Sequence, residues 1–217
     1  MTVSRTAQDY LKAIYKLQEG GPVQTNALAE HMGVFAPSAT KMISRLAEAG
    51  FIRHTPYHGV ELTTQGAAVA LEVIRHHRLW EAFLHRALGV PIERLHGEAE
   101  RLEHELSDDL EEHIARLLGE PTHDPHGDPI PTRDGSVADT EYPTLASMAV
   151  GGRAVVRRVP DTDPELLRYI GSLGLLPGAT VELHAREPFN GPLTLGVGAD
   201  ERVIGNELAG RLFVEPA

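Results

Sequence analysis

At roughly 100–200 residues per domain, the 217 residues allow one to three small domains with cores of their own, which excludes a disordered tail as the whole answer. Apolar residues make up 41% and charged residues 24%; no stretch approaches the ~20 apolar residues of a membrane span, and the absence of cysteine removes disulfides, thiolate catalysis and sulfur-bound metals. The net charge of −11 argues against nucleic acid until it is divided: Lys+Arg against Asp+Glu is 6 to 5 over residues 1–65, 6 to 11 over 66–118, 4 to 6 over 119–160 and 4 to 9 over 161–217, so only the first segment suits phosphate.

The N-terminal MTVSRTAQDYLKAIY has no apolar signal core, so a cytoplasmic protein with no membrane partner is expected. Its AQDYLKAIYKLQE run sets Tyr10, Leu11, Ile14, Tyr15 and Leu17 on one helical face until Gly20-Gly21-Pro22 stops it. Thr25 reads as the N-cap of a short helix ending at Gly33, and Pro37-Ser38 opens a second that ends at Gly50, a helix-turn-helix. Phe51-Ile52-Arg53 and Val60-Glu61-Leu62 flank the turn Pro56-Tyr57-His58-Gly59, so residues 1–65 are predicted to be a winged-helix DNA-binding domain. A helix from Thr64-Gln65-Gly66 to Gly89 and one continuous helix from Pro91 to Gly119 are long enough to form a homodimer within a helical domain, residues 66–140. Residues 119–144 hold five of the fifteen prolines and read as a tether. Residues 145–217 give short β runs at 154–156, 180–183, 193–195 and 212–214 around the helical insert PELLRYIGSLGL, a small SH3-like β-barrel. The predicted fold is mainly α with small β parts.

Eight of the twelve histidines lie between His76 and His126, where acids most outnumber bases. With residue 100 at zero and 100° per residue along a helix through 94–118, Leu95, Ala99, Leu102, Leu106, Leu110, Ile114 and Leu117 form the core stripe. Glu98, Arg101, Glu105, Asp108 and Glu112 form the solvated face. His96, Glu100, Glu103 and His104 fall at about 320°, 0°, 300° and 40°, beside the apolar stripe. They are either ordinary members of an acid-rich helix or a partly buried cluster that needs a cation. His77 and Glu81, at i and i+4 on the preceding helix, add a same-face pair, and Asp9 opens the first helix. Nitrogen and oxygen donors without sulfur suit Mn²⁺ or Fe²⁺ more than structural zinc. The other histidines, among them His76, His123 and His126, read as surface or core residues rather than ligands.

In order and content the chain resembles the diphtheria toxin repressor family of metal-dependent transcriptional regulators. The resemblance is carried by DYLKAIYKL at 9–17, PSATKMISRLAEAGFI at 37–52, HRLWEAFL at 77–84, HGEAERLEHELSDDLEEHI at 96–114, DPHGDPIP at 124–131 and PELLRYIGSLGLLPGATVEL at 164–183. It implies a DNA-binding winged helix, a dimerising and metal-binding helical domain, and an SH3-like (FeoA-like) domain. The implied primary metal site is Asp9, Glu100, Glu103 and His104, with oxygen at two positions where the iron-responsive branch has Met and Cys. In this the chain is similar to the manganese transport regulator branch, except that Lys12 stands where that branch offers a second carboxylate. The implied ancillary site is His77, Glu81 and His96, with a further oxygen from Asp163 or Glu165. The resemblance further implies control of metal-homeostasis genes by Mn²⁺ or Fe²⁺. The metal would tie the DNA-binding and dimerising segments together and so hold two winged helices at the spacing of a palindromic operator. Acidification below about pH 6.5 is expected to weaken the response through histidine protonation.

The residues expected at double-stranded DNA are Pro37, Ser38, Thr40 and Lys41 at base edges, with Thr25, Arg45, Arg53, Tyr57 and His58 on phosphate. Two other functions compete with this reading. One is a winged-helix regulator that senses a small organic ligand. The other is a metal-dependent hydrolase, against which stand the absence of HExxH and of a third group to act as general base.

Overall fold

The computed structural model describes residues 3–18, 21–138 and 141–217; Glu19 and Gly20 at the expected end of the first helix, and Asp139 and Thr140 in the expected tether, lie outside the described residues. The chain forms two compact units: Met1–His76 with Glu103–Leu106 and Pro131–Ser136, and His77–Leu102 with Ser107–Ile130 and Val137–Ala217.

In the first unit α1 (Arg5–Leu17) begins at Ser4, whose hydroxyl accepts from the Ala7 N–H, and buries Tyr10, Leu11, Ala13 and Ile14. It packs with α2 (Thr25–His31), α3 (Ala36–Glu48) and the antiparallel hairpin β1 (Ile52–Thr55) and β2 (Gly59–Leu62) around Leu28, Ile43 and Val60. Thr25 is the first helical residue rather than the cap. Val23 and Val60 exchange backbone hydrogen bonds, which holds the chain extended through Gln24 and puts that residue at the N-cap. The hairpin closes onto α4 (Thr64–Leu88) through Thr63, whose hydroxyl donates to the Gly50 carbonyl and accepts from the Gly66 N–H. A Cβ at Gly66 would stand 2.0 Å from the Phe51 carbonyl oxygen, so no other residue fits that crossing without moving backbone.

The helix expected from Pro91 to Gly119 is broken in two. α5 (Ile92–Leu102) passes into a 3₁₀ turn at Glu103–Glu105, and α6 (Asp108–Leu117) restarts at Ser107, whose hydroxyl accepts from the Leu110 N–H. The restart shifts the helical phase. Leu95, Ala99, Leu106 and Ile114 are buried as expected, but Leu110 is 44% and Leu117 69% exposed, while Glu103 has no exposed surface.

The second unit contains a five-stranded antiparallel sheet, order β6-β5-β4-β3-β7, from β3 (Arg153–Arg158), β4 (Thr180–Arg186), β5 (Leu193–Val197), β6 (Asp200–Ile204) and β7 (Phe213–Pro216). The helices α7 (Pro164–Ser172) and α8 (Asn206–Ala209) complete it. Register pairs Val156 with Val214 and Leu183 with Leu195, and these four are buried with Leu167 and Ile170. Strand β6 is absent from the predicted elements, because DERVI buries only Ile204 and shows no apolar alternation. Part of the expected tether is folded as well. The Asp124 carboxylate accepts from the N–H groups of His126 and Asp128, the Val159 N–H donates to the His126 carbonyl, and the Arg78 guanidinium donates to the Pro129 carbonyl. Gly127, at φ +93°, lies so close to Arg157 that a Cβ would fall 1.7 Å from its carbonyl oxygen. Turn-forming Asp, Pro and Gly here make an ordered loop, not a spacer.

Candidate metal centre and nucleic-acid face

Two clusters gather the candidate ligands, one in each unit. In the first, α1 presents Gln8, Asp9 and Lys12, and the 3₁₀ turn presents Glu103 and His104. His104 Nε2 is 2.7 Å from Asp9 Oδ1 and 3.5 Å from Glu103 Oε1, and its Nδ1 is 2.8 Å from Gln8 Oε1. Lys12 Nζ lies 2.5 Å from Glu103 Oε1, both side chains being buried. His76 is also buried, with Nδ1 3.1 Å from the Glu103 carbonyl oxygen. The carboxylate of Glu103 therefore already has a cation, supplied by the chain.

In the second cluster α4 carries His77 and Glu81, α5 carries His96 and Glu100, the segment before α7 carries Asp161, and the 124–128 loop carries Asp124 and His126. His77 Nε2 is 3.2 Å from Glu81 Oε1 and 3.2 Å from His96 Nδ1; His126 Nδ1 is 3.5 Å from Glu81 Oε1; His96 Nδ1 is 3.6 Å from Asp161 Oδ2. Glu81 and His126 have no exposed surface, yet both carboxylate oxygens of Glu81 and Nδ1 of His126 lack a hydrogen bond. Burial alone would raise the Glu81 pKa, but His126 and His77 beside it bring it far below the usual carboxylate range. Burial opposes the charged form of His126 as well; the Glu81 carboxylate, with Asp124 and Asp161, outweighs it and pushes the imidazole up to about 9. Burial, then the charges of Glu81 and Asp128, holds Asp124 well above the ordinary aspartate value, and burial, then His77, lowers His96.

Three expected placements change. Glu100 stands with His77 and His96, 3.8 Å from a ring nitrogen of each, while Asp9, Glu103 and His104 form their own group. Asp163 is exposed and caps α7, its carboxylate accepting from the N–H groups of Glu165 and Leu166; the oxygen near His96 belongs to Asp161, two residues earlier. Asp124 and His126 sit in the stretch expected to be a tether and instead enter the cluster, although the histidine excess around them is visible in the sequence.

On the first unit Pro37, Ser38, Thr40, Lys41, Arg45, Arg53, Tyr57 and His58 are exposed and Thr25 is half-buried. The hydroxyls of Thr40 and Ser44 donate back along α3 to the carbonyls of Ala36 and Thr40. Tyr57, fully exposed at the hairpin tip, has φ +66°.

Residues 2–60 match the family description "Iron dependent repressor, N-terminal DNA binding domain", residues 63–132 "Iron dependent repressor, metal binding and dimerisation domain" and residues 144–216 "FeoA domain". The iron-dependent repressor IdeR of Mycobacterium leprae (strain TN) is 33% identical over 224 residues, covering 97% of this chain and 96% of that protein. The chain belongs to the iron-dependent repressor family. Its relatives in this family of metal-dependent transcriptional repressors include the diphtheria toxin repressor of Corynebacterium efficiens (strain DSM 44549 / YS-314 / AJ 12310 / JCM 11189 / NBRC 100395), 30% identical over 191 residues and covering 82% of each chain. Among solved structures, a manganese-dependent transcriptional repressor in complex with manganese superimposes with a TM-score of 0.87 at 38% identity, over 97% of this chain and all of that one. The manganese regulator SloR superimposes with a TM-score of 0.76 at 30% identity over the whole of both chains. These relatives are repressors, which favours neither the hydrolase nor the organic-ligand sensor.

Proposed function

We propose that this chain is a cytoplasmic homodimer that binds a palindromic operator when loaded with Mn²⁺, or with Fe²⁺ as the alternative, and so controls metal-homeostasis genes. The observation that carries the reading is the fully buried Glu81 carboxylate, gathered with His77, His96, His126 and Asp124 and neutralised only by imidazole protons that a metal can displace. A buried carboxylate is costly unless a cation meets it. The donors are all nitrogen and oxygen, a set that fits Mn²⁺ or Fe²⁺. Glu81, Asp124 and His126, with His96 and Asp161 alongside, would hold one ion; Asp9, Glu103 and His104 would hold another. A bound cation would take the place of the His126 proton at the first of these and would compete with the Lys12 ammonium at the second.

The residues of the first cluster have a positional task. The chain leaves the second unit at Leu102 and re-enters it at Ser107, so the intervening Glu103–Leu106 turn is the piece that Asp9 and Lys12 fasten to α1. Asp9 and His104 thereby govern how firmly that turn is held to α1 within the first unit. The exposed Leu88, Leu110 and Leu117 of α4 and α6 suit burial by a second copy of the chain. The relatives named for manganese support Mn²⁺, and those named for iron keep Fe²⁺ open.

The test is selection of DNA fragments by chelator-stripped protein, with and without Mn²⁺ at fixed salt. Enrichment of a few two-fold-symmetric fragments only with Mn²⁺ is expected, and Glu81→Ala should abolish the dependence. Equal enrichment in both conditions would refute metal control.

A further inference from the structure

Strand β3 changes phase where it meets the ligand-bearing loop. Ala154 and Val156 point into the core, and period-two alternation would send residue 158 after them. Val156 pairs with Val214 and Arg158 with Phe213, so Arg157 is the extra residue of a β-bulge, and the inward position passes to Val159, which is buried. Arg158 is thereby turned out of the core. Its guanidinium carbon lies 3.9 Å from the centroid of the Phe213 ring, and its Nη1 is 3.7 Å from Asp128 Oδ1. The same stretch grips the loop by its backbone: the Val159 N–H donates to the His126 carbonyl over 2.9 Å, and Gly127 passes the Arg157 carbonyl with no room for a side chain. Bulges gather beside functional sites because they re-aim a side chain, and the side chain re-aimed here is Arg158.

Asp128 ends the turn whose other residues enter the Glu81 cluster. Its N–H donates to the Asp124 carboxylate and its carbonyl accepts from the Asp124 N–H, so the two aspartates move together. Its own carboxylate lies between Arg158 and Arg78, whose Nη2 is 3.6 Å away. His126, between them in sequence, donates from Nε2 to the Ile92 carbonyl, which leaves Nδ1 toward Glu81. We propose that Arg158 is a positioning residue for the Glu81 metal centre: seated on the Phe213 ring, it fixes Asp128 and through it the Asp124 and His126 donors, without being a ligand itself. This rests on the metal-binding reading of that cluster and gives strand β3 a part in shaping it. Outer partners that orient ligands are worth about 10–100-fold in metal affinity. Charge acts in the opposite sense, because removing a cation near a cation site tightens binding, so the sign of the effect separates positioning from electrostatics.

The experiment uses the full-length chain carrying Asp9→Ala, which strips the first cluster, so that a Mn²⁺ titration followed by electron paramagnetic resonance of the free ion reads the Glu81 cluster alone. Arg158→Met keeps the aliphatic stem on Phe213 and removes the charge, and it should weaken Mn²⁺ binding about tenfold. Arg158→Lys, which keeps a cation opposite Asp128, should recover most of that loss. Circular dichroism of the metal-free variants checks that they fold; if Arg158→Met does not, Phe213→Leu decides, since it keeps the charge, releases the guanidinium and should weaken binding several-fold. Unchanged or tighter binding by Arg158→Met, a loss that Arg158→Lys fails to recover, or unchanged binding by Phe213→Leu overturns the assignment. If the Asp9→Ala chain with Arg158 intact takes up no Mn²⁺, the metal reading of the Glu81 cluster falls instead.

Discussion

The two carboxylate and histidine clusters use the same residue types to opposite effect. Around Glu103 the chain has supplied its own cation: Lys12 pairs with the buried carboxylate, and both ring nitrogens of His104 have oxygen partners in Asp9 and Gln8. Around Glu81 it has supplied only imidazoles: His77 lies 3.2 Å and His126 3.5 Å from the carboxylate, and the positive charge is a titratable proton that a metal can displace rather than a fixed ammonium. Donor count alone does not distinguish these sites; what each buried charge already touches does. The first cluster should fold well without metal and bind it in competition with an ammonium group, whereas the second should depend on metal or protons.

The largest expected effect breaks that contrast at its self-satisfied end. Lys12→Met leaves Glu103 buried without its cation, and removing one partner of a buried pair costs about 3–5 kcal/mol. Urea unfolding of the metal-free variant should show that loss, and saturating Mn²⁺ should restore much of it, because the Asp9, Glu103 and His104 group then lacks a resident charge. An unchanged unfolding midpoint would show that the ion pair contributes nothing. At the other cluster, metal at one hundred times its dissociation constant stabilises the folded chain by about 2.7 kcal/mol. Glu81→Gln should remove that cluster's share and leave metal uptake at the first group intact, as read by a metal titration of each variant.

The next prediction concerns pH. The folded pKa of His126 is raised to about 9, above its ordinary value near 6.5, so its contribution to metal-free stability is full below about pH 6.5 and is lost as pH rises through about 9. Asp124, raised above its ordinary value, acts in the same direction, while Glu81, lowered, contributes above about pH 4.5 and loses that contribution as pH falls through its depressed folded value. The metal-free protein should therefore weaken from pH 6.5 to 9. Metal requires the imidazole neutral, so affinity at the Glu81 cluster should rise about tenfold per pH unit over the same range for each proton displaced. Calorimetry in buffers of different ionisation enthalpy measures those protons directly, and uptake without proton release would contradict the assignment of His126. Proton competition thus extends well above the pH 6.5 that an ordinary histidine suggests.

Much of this was legible from residue order. The winged helix follows from apolar spacing and Gly stops, the small sheet from alternating apolar runs, and His77, Glu81, His96, Glu103 and His104 from their excess on helical faces. What was not legible depended on local chain geometry. DPHGDPIP has the composition of a spacer, and only the Asx turn at Asp124 and the close passage of Gly127 over Arg157 show that it carries Asp124 and His126 into a core. Asp163 lies within two residues of Asp161, and sequence alone does not reveal that its carboxylate is taken by the start of α7.

The phase error at Ser107 leads to the smallest predicted effect. A uniform 100° step carries Leu110 and Leu117 into the core and keeps Glu103 at the edge of the stripe, because a serine in the middle of an acidic run gives no periodic sign of a stop. The structure breaks the helix there, and the Ser107 hydroxyl caps α6. Ser107→Ala should cost about 1 kcal/mol, the usual loss of a serine N-cap. The turn it flanks carries Glu103 and His104 but none of the residues around Glu81, so the variant should weaken metal uptake by the Asp9 group several-fold and leave the other unchanged. Equal weakening at both clusters would mean that they do not act as separate sites and would remove the contrast on which the other predictions depend.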